Sequence, residues 1–284
     1  MNWLEHINAA ALLLAKAGID EPTAEARYLW AYATDTSLVS WFSGGREVSD
    51  ADVAHFYHLV HRRAQREPFH YIVGQREFMG LTLTTTADAL IPRPETELLV
   101  QQVLADIQPD IPITVVDVGT GSGAIALSLR HYSPAAVAIY ATDISAAALA
   151  LARANAERLG LSVHFALGSL LEPIEVPVNI VVANLPYISF LDKEYLDPEL
   201  SYEPEIALYA GRSGTELVEQ LIDQAREKLM PGGHIYLEVG QGQSNLVLAY
   251  LRNAGFTLDP VVYDYGGIDR IVGGSWRGND GTAY

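Results

Sequence analysis

The sequence predicts an α/β protein with a doubly wound, mostly parallel sheet, a small N-terminal helical domain and a connecting hairpin. From Ile113 onward, short runs rich in β-branched residues alternate with helical stretches, which is the element order of a parallel sheet. A glycine-rich turn follows the first of these runs, as in doubly wound folds that bind nucleotides. The residues up to about position 66 carry helical periodicity instead, and they predict a separate domain.

Three helices are predicted in this N-terminal domain. The first, in NWLEHINAAALLLAKAG, has apolar residues at helical spacing and ends at Gly18, a residue suited to the left-handed end of a helix. The second begins near Pro22, because proline is favoured in a first turn. The third begins at Ser49, which forms a capping-box pattern with Asp52.

Three histidines in the third helix, His55, His58 and His61, are spaced three residues apart and raise the question of a metal site. No carboxylate signature accompanies them, so we interpret them as residues of a helix face and predict no metal site. The chain contains no cysteine, which excludes disulfides and thiolate chemistry.

The segment REFMGLTLTTTADALIPRPETE separates the helical part of the chain from the rest. Its alternation around Leu81 and Leu83 predicts a hairpin, and the two prolines in IPRPETE end it before the helix ELLVQQVLAD. We therefore divide the chain into a helical domain at 1–75, a hairpin and linker at 76–92, and a main domain at 93–284.

The main domain is predicted to contain five parallel strands, namely ITVVDVG, AVAIYATD, VHFALGSL, NIVVAN and HIYLEVG. Helices are predicted between them, after GSGA and in SAAALALARANAERLG and GTELVEQLIDQAREKLM. The C-terminal GFTLDPVVYDYGGIDRIVGGSW holds two strand-like runs joined by DYGGID. We expect a terminal hairpin that adds an antiparallel strand to the sheet.

Charge and hydropathy restrict the partners that the chain can have. There are 18 basic and 35 acidic residues, and a formal net charge of −17 leaves no broad basic surface for nucleic acid. No apolar run is long enough to span a bilayer, and the first residues do not form a secretory signal. We expect a cytoplasmic protein with no membrane association.

The turn in VVDVGTGSGAIAL points to a cofactor. Gly119, Gly121 and Gly123 stand where the first strand becomes a helix, and glycines there let the backbone approach a ligand closely. Asp143 ends the next strand, where a carboxylate can accept both hydroxyls of a ribose. This predicts an adenosine-containing cofactor, the alternative being a tight turn with a chance acid. A nicotinamide or flavin stays open, although Asp117 before the glycines suits a sulfonium better than a pyrophosphate.

The fourth strand ends in Asn184, Leu185, Pro186 and Tyr187. The Asn184 side-chain oxygen and the Leu185 carbonyl can accept hydrogen bonds, Pro186 restricts the backbone, and Tyr187 offers a flat face. The set fits an NH₂ group on a planar substrate, held with its nitrogen toward an electrophile such as the methyl group of S-adenosylmethionine. The alternative is a strand exit with an incidental asparagine and tyrosine.

With DVGTGSG and the Asn-x-Pro-Tyr motif, the chain resembles amino-methyltransferases that use S-adenosylmethionine. Adding IPRPETELLV, SYEPEIALYAG, LMPGGHIYLEVGQGQ and DYGGIDRIV, it is similar to the protein-(glutamine-N5) methyltransferases of peptide chain release factors. The resemblance implies a class I, Rossmann-like methyltransferase domain that methylates the glutamine of the release factors' Gly-Gly-Gln loop. It also implies an N-terminal domain that binds this protein partner, with no direct contact to nucleic acid, and we expect a monomer.

The resemblance also implies a role for individual residues. The cofactor would be held by Gly119, Thr120, Gly121, Ser122, Gly123, Asp143, Leu170 and Asn184. The substrate glutamine would be held by Asn184, Leu185, Pro186 and Tyr187, which are also the catalytic set. Arg93, Glu95 and Glu97 would help to shape the pocket, the alternative for these three being helix capping and local ion pairing.

Two residues depart from the family pattern. Leu185 stands where the family usually has proline, which keeps the backbone carbonyl but predicts a looser loop. Ser169 stands where an acid usually precedes the adenine-packing residue, which predicts weaker cofactor binding.

Two other functions stay open at this point. The letters NLPY are typical of RNA adenine dimethyltransferases, so an adenine-N6 methyltransferase acting on RNA or DNA is one alternative. A catalytically silent interaction module is the other. The segment FLDKEYLDPELSYEPE holds six acids and one lysine, which we expect to repel phosphates and to steer a basic protein domain to the pocket.

Overall fold

The computed structural model describes residues 2–44, 47–108 and 110–278. Residue 1 of the predicted helical domain and residues 279–284 of the predicted main domain lie outside this description. The chain forms two compact units. The first is Met1–Gln75 together with Asp197–Tyr202, and the second is Arg76–Leu196 together with Glu203–Tyr284.

The first unit is helical. Its α-helices are α1 (Trp3–Lys16), α2 (Pro22–Ala33), α3 (Leu38–Phe42), α4 (Asp50–Ala64) and α5 (Phe69–Val73). Gly18 follows α1 with a φ of 76°, and Ser49 forms a capping box with Asp52 at the start of α4, so both predicted signals are confirmed. Trp30 and Phe56 are fully buried and pack edge to face at the centre of this unit. The five-residue helices α3 and α5 are too short for a periodic pattern, and the sequence did not predict them.

An ion-pair network joins the 197–202 segment to the helices of the first unit. The side chain of Arg63 is only 4% exposed, and its Nε atom lies 2.5 Å from Glu25 Oε2. Its Nη2 atom donates to Glu199 Oε1 at 2.8 Å. The Tyr202 hydroxyl donates to the carbonyl of Gln65 at 2.8 Å. The short 3₁₀ helix Pro198–Tyr202 is therefore part of the helical unit, although it lies far from it in sequence.

The second unit contains the sheet and the remaining helices. It begins with the hairpin of β1 (Gln75–Phe78) and β2 (Leu81–Thr84). Its further strands are β3 (Thr114–Val118), β4 (Ala138–Asp143), β5 (His164–Leu167), β6 (Val178–Ala183), β7 (Leu229–Glu238), β8 (Phe256–Leu258), β9 (Val262–Tyr263) and β10 (Asp269–Trp276). Its α-helices are α6 (Thr96–Asp106), α7 (Ala124–Tyr132), α8 (Ala146–Leu159), α9 (Glu205–Leu208), α10 (Glu216–Lys228) and α11 (Ser244–Asn253).

The sheet has the predicted doubly wound form. Its order is β5-β4-β3-β6-β7-β10-β8, with β9 paired to β10. The pairs from β5 to β7 are parallel, whereas β10 is antiparallel to β7, β8 and β9. The five predicted parallel strands and the antiparallel terminal hairpin are confirmed. Because the strand order reverses between β3 and β6, a crevice opens beyond their carboxyl ends.

Two hydrophobic cores cover the two faces of the sheet. Successive strand residues point to opposite faces, so Val115 belongs to one core and Val116 to the other. Helices α6 and α7 cover the face of Val115, and α10 and α11 cover the face of Val116. The sequence did not predict α11, whose first residue follows the turn GQGQ. Within the described ranges, no helix has the length and apolar character needed to cross a membrane.

Replacing Arg63 with alanine leaves Glu25 and Glu199 without their shared partner in a poorly solvated place. We expect a loss of about 3 kcal/mol in the free energy of unfolding of the helical unit. Trp3, Trp30 and Trp41 lie in this unit, so denaturant unfolding followed by tryptophan fluorescence reports mainly on it.

The matched control is Arg62→Ala, one residue away on the same helix. Arg62 pairs with Glu67 but is 34% exposed, so its loss is expected to cost less than about 1 kcal/mol. Equal effects of the two substitutions would contradict the account.

Candidate active site

A cavity of about 430 Å³ opens beyond the carboxyl ends of β3, β4 and β6. This volume is in the usual range for sites that bind small molecules. The predicted site residues that line it are Arg93, Gly119, Thr120, Gly121, Ser122, Asp143, Leu170, Asn184, Leu185 and Pro186. Gly123, Tyr187, Glu95 and Glu97 do not line it.

The strand register brings these residues together. Val118 of β3 is paired with Ala183 of β6, so Gly119 and Asn184 leave the sheet side by side. Val118 is also paired with Thr142 of β4, which places Asp143 on the other side of Gly119. Residues separated by more than sixty positions therefore meet at one edge of the sheet.

The glycine turn adopts a backbone that only glycine takes up easily. Gly119, Gly121 and Gly123 have φ values of 72°, 56° and 87°. A Cβ atom on Gly119 would lie 2.9 Å from Leu185 Cδ2, so this glycine also makes room for the leucine. A Cβ atom on Gly123 would lie 3.0 Å from Leu127 Cδ1. Packing at the start of α7 accounts for a glycine at position 123, and its expected role as a cofactor contact stays a prediction.

Asp143 lines the cavity and also fixes the turn. Its Oδ2 atom accepts a hydrogen bond from the Gly121 amide at 2.8 Å, and its Oδ1 atom accepts one from the Ser145 amide at 2.8 Å. A carboxylate has about four acceptor positions, so two of them are left for a ligand. The predicted contact with ribose hydroxyls is compatible with this geometry.

Asp117 corrects a sequence-based expectation. It does not face a ligand, because it is fully buried beneath the turn. Its Oδ2 atom accepts hydrogen bonds from the Thr120 hydroxyl at 2.6 Å and from the Ala126 amide at 3.1 Å. Burial raises the pKa of Asp117 to about 7, although these hydrogen bonds lower it. Asp117 therefore supports the turn from below instead of contacting a sulfonium.

Asn184 is held by a residue that the sequence did not single out. Its Nδ2 atom donates to the Thr96 hydroxyl at 3.0 Å. Thr96 is the first residue of α6, is 4% exposed and lines the cavity. It stands between Glu95 and Glu97 in the IPRPETE segment, of which only the charged residues were predicted to shape the pocket.

Leu185 and Tyr187 flank Pro186 in different surroundings. Leu185 is buried and packs against Gly119, the first glycine of the turn. The leucine that departs from the family pattern is therefore part of the packing under the turn. Tyr187 is half-buried beside the cavity, and its carbonyl accepts a hydrogen bond from Gln243 Nε2 at 2.9 Å. Burial, together with the nearby Glu238, raises the pKa of the Tyr187 hydroxyl, so the phenol stays neutral.

Leu170 and Ser169 both line the cavity. Leu170 has a φ of 48°, a left-handed conformation that is rare for a branched side chain. The Thr142 hydroxyl donates to its carbonyl at 2.7 Å and fixes the strained turn. Strain of this kind is typical of ligand sites and supports the predicted role of Leu170 as an apolar wall.

The three charged residues of IPRPETE have different surroundings. Arg93 lines the cavity and forms an ion pair with the buried Glu203. Glu95 directly precedes α6 and lies outside the cavity lining. Glu97 accepts a hydrogen bond from the Met79 amide at 2.8 Å, in the turn of the β1–β2 hairpin. Local structure therefore accounts for Glu97.

Ion pairs partly neutralise the acidic segment after the motif, and its expected effects on phosphates and on steering stay predictions. Four of its six acids form ion pairs within their own units. These pairs are Asp197–Arg66 at 2.8 Å, Glu199–Arg63 at 2.8 Å, Glu203–Arg93, and Glu205–Lys193 at 2.5 Å. These pairs compensate part of the segment's charge, so the segment by itself does not separate a protein substrate from a nucleic acid.

Comparison with known proteins bears on whether the substrate is a protein or a nucleic acid. The family model described as the PrmC N-terminal domain matches residues 5–74, and the one described as the methyltransferase small domain matches residues 94–196. A release factor glutamine methyltransferase of Deinococcus radiodurans is 38% identical over 273 residues, covering 96% of this chain and 98% of that protein. One from Yersinia pestis is 37% identical over 278 residues, covering 97% and 99%.

A solved methyltransferase from Pyrococcus furiosus shares the fold, with a TM-score of 0.53 at 16% identity over 70% of this chain and 90% of that one. Fold and site together define a class I methyltransferase that uses S-adenosylmethionine. The two relatives extend over nearly the full length of the chain. The chain belongs to the release factor glutamine methyltransferases.

The residues at the cavity fit S-adenosylmethionine. The glycine turn leaves space for the amino-acid end of the ligand, because Gly121 would have only the Ala89 side chain near an added Cβ atom, at 3.8 Å. Asp143 offers acceptor positions for the ribose, and Leu170 offers an apolar wall for the adenine. These residues would therefore hold the amino-acid, ribose and adenine parts of the ligand.

Replacing Gly119 with alanine should weaken S-adenosylmethionine binding. The new methyl group displaces Leu185, which is buried and lines the cavity, so the leucine has to move toward the ligand. We expect the dissociation constant to rise about tenfold, equivalent to about 1.4 kcal/mol, as measured by isothermal titration calorimetry.

Gly160→Ala is the matched control, because Gly160 has a φ of 66° and nothing within 4 Å of an added Cβ atom. Both substitutions impose a left-handed alanine that costs about 1–2 kcal/mol of stability, but only the first meets the ligand site. Unchanged cofactor affinity in the Gly119 variant would contradict the assigned role of the turn.

Proposed function

We propose that this chain transfers the methyl group of S-adenosylmethionine to the side-chain amide nitrogen of the glutamine in the Gly-Gly-Gln loop of peptide chain release factors. The observation that carries this proposal is the position of Asn184 beside the glycine turn, set by the Val118–Ala183 register. A methyl donor held by the turn and an amide held by Asn184 would then meet at the same edge of the sheet.

An amide nitrogen is a weak nucleophile because its lone pair is delocalised. Asn184 Oδ1 and the Leu185 carbonyl can each accept one of its N–H bonds, which holds the nitrogen in one orientation. Orientation of this kind lowers the barrier by placing the reacting atoms in line before the reaction. We expect the neutral phenol of Tyr187 to offer a flat surface to the amide plane.

The reaction needs no strong base before methyl transfer. The amide nitrogen forms a bond to the methyl carbon while the carbon–sulfur bond of S-adenosylmethionine breaks, and the nitrogen then loses one proton. The proton becomes acidic only when the nitrogen carries the positive charge. Hydrogen-bond acceptors at Asn184 and Leu185 therefore stabilise the transition state more than the ground state.

Adenine is the second candidate substrate, since its amino group has the same plane and donors as a glutamine amide. Two observations favour the release factor. The relatives match over both units, including the helical one, and the net charge of −17 opposes a nucleic-acid backbone. A silent interaction module is disfavoured, because the glycine turn, Asp143 and Asn184 line one cavity.

The helical unit is proposed to bind the release factor outside the Gly-Gly-Gln loop. It carries exposed large apolar side chains, among them Leu12, Tyr28, Val39 and Phe42. Because release factors act in translation, the enzyme is proposed to act in the cytoplasm. We further propose that it acts as a monomer and without direct contact to nucleic acid.

The proposal predicts label on a release factor incubated with enzyme and methyl-labelled S-adenosylmethionine. A factor with the loop glutamine changed to alanine should take up no label, and neither should ribosomal RNA. Asn184→Ala should lower the rate about 100-fold or more, because the amide loses its orientation. Label on the RNA but not on the factor would contradict the proposal.

A further inference from the structure

We infer that Gln243 is a positioning residue that fixes the backbone of the Asn-x-Pro-Tyr motif at Tyr187. This inference rests on the proposed function, because the same motif is proposed to hold the glutamine amide. It concerns two stretches that the proposed function leaves without a role. They are YAGRSGTE, which leads into α10, and VGQGQ, which leads from β7 into α11.

The strand pairing brings Gln243 to the motif. Strands β6 and β7 are parallel neighbours, and Ala183 is paired with Leu237. The motif therefore leaves β6 beside the turn 240–243, which joins β7 to α11. The Gln243 amide donates to the Gly240 carbonyl at 3.1 Å, and the Gly240 amide donates to Gln243 Oε1 at 2.9 Å. These two bonds hold the Gln243 side chain to the end of β7.

The other end of the Gln243 side chain joins this turn to the motif. Its Nε2 atom donates to the Tyr187 carbonyl at 2.9 Å and to the Gly214 carbonyl at 3.4 Å. Nε2 faces two carbonyls and Oε1 faces an amide, so only one orientation of the side-chain amide satisfies all three groups. A carboxylate at position 243 could accept from Gly240 but could donate to neither carbonyl. The contacts therefore require an amide here.

Two buried glycines let the backbone close around Tyr187. A Cβ atom on Gly214 would overlap the Tyr187 carbonyl oxygen, and one on Gly240 would lie 3.0 Å from Tyr187 Cδ2. Neither position has room for a side chain. The carbonyl of Tyr187 and its ring are thus each in contact with a glycine, and Gln243 bonds to both glycines.

The Glu216 carboxylate holds the Gly214 side of this arrangement. It accepts hydrogen bonds from all four backbone amides of residues 212–215, at distances from 2.7 to 3.1 Å. Bonds from backbone amides to an ionised carboxylate are among the stronger hydrogen bonds in proteins. They give the turn one conformation, so the Gly214 carbonyl is presented to Gln243 at a fixed position.

Fixing the Tyr187 carbonyl also restricts the carbonyl that is proposed to accept from the substrate. That carbonyl belongs to Leu185, and Pro186 between them has its φ fixed by the ring, which leaves few free rotations. Beyond the motif, the Ile188 amide donates to the Leu208 carbonyl at 3.0 Å. Gln243 therefore holds the motif at the one peptide that links the proline to this pairing. Loss of its bond would allow the acceptor carbonyl several orientations.

The first test compares Gln243→Glu with Gln241→Glu in the full-length enzyme acting on a release factor. Glutamate keeps the size of the side chain but places an oxygen opposite the Tyr187 carbonyl, so kcat should fall about 10- to 100-fold. The dissociation constant for S-adenosylmethionine should stay within about twofold, because Gln243 does not line the cavity. Gln241 is exposed two residues earlier, and the same change there should leave kcat within about twofold of wild type.

The second test compares Gly214→Ala with Gly242→Ala. Both glycines have a φ of 82°, so alanine imposes the same left-handed backbone at each. A Cβ atom on Gly242 has nothing within 4 Å, whereas one on Gly214 meets the Tyr187 carbonyl. We expect kcat to fall about tenfold or more in Gly214→Ala and to stay within about threefold of wild type in Gly242→Ala.

Hydrogen exchange followed by mass spectrometry supplies a readout that does not depend on activity. Gln243→Glu should speed exchange in the segment 184–190 by about tenfold or more, and exchange in β6 should stay as in wild type. A variant that is only less stable would exchange faster in β6 as well. Gln241→Glu should exchange like the wild type in both segments.

Three results would overturn the inference. These are a kcat in Gln243→Glu equal to that of Gln241→Glu, exchange in 184–190 no faster than in that control, and a fall in kcat matched by an equal loss of cofactor affinity. A wild-type enzyme that does not methylate the release factor would overturn the proposed function. In that case the exchange comparison still decides whether Gln243 fixes the backbone at Tyr187.

Discussion

The parallel pairing of β3 with β6 is the constraint on which the rest of the site depends. It reverses the strand order at this point, opens a crevice beyond the strand ends, and sets Gly119 next to Asn184. The groups that would bind the methyl donor and the methyl acceptor come from distant parts of the chain. This register places them side by side. A shift by one residue would turn Asn184 toward the opposite face of the sheet.

Buried polar groups hold the flexible parts of the site to this rigid sheet. Asp117 lies under the glycine turn, and Thr96 accepts a hydrogen bond from the Asn184 amide. The buried Asp117 carboxylate reduces stability, since burial raises its pKa and disfavours the charged form. In return, its hydrogen bonds fix the glycine turn, which would otherwise have several arrangements. Leu170 adds backbone strain at the same cavity.

The sequence could predict features that depend on local pattern. The strands, the glycine turn, the capping box at Ser49 and the polar end of β6 at Asn184 are all encoded by neighbouring residues. Contacts across the chain could not be read in this way. Thr96 meets Asn184 across 88 positions, and Arg63 meets Glu199 across 136. For the same reason, Asp117 was given a ligand role, whereas its hydrogen-bond partners lie in the turn and at the start of α7.

The most direct measurement of the central claim is the affinity of a bisubstrate adduct. In this compound, one methylene group joins the adenosyl amino acid to the side-chain amide nitrogen of a Gly-Gly-Gln peptide. If the two binding sites are adjacent as described, the adduct should bind about 100-fold more tightly than S-adenosylhomocysteine, and Asn184→Ala should remove that gain. An adduct that binds no more tightly than S-adenosylhomocysteine would contradict the adjacency of the two sites.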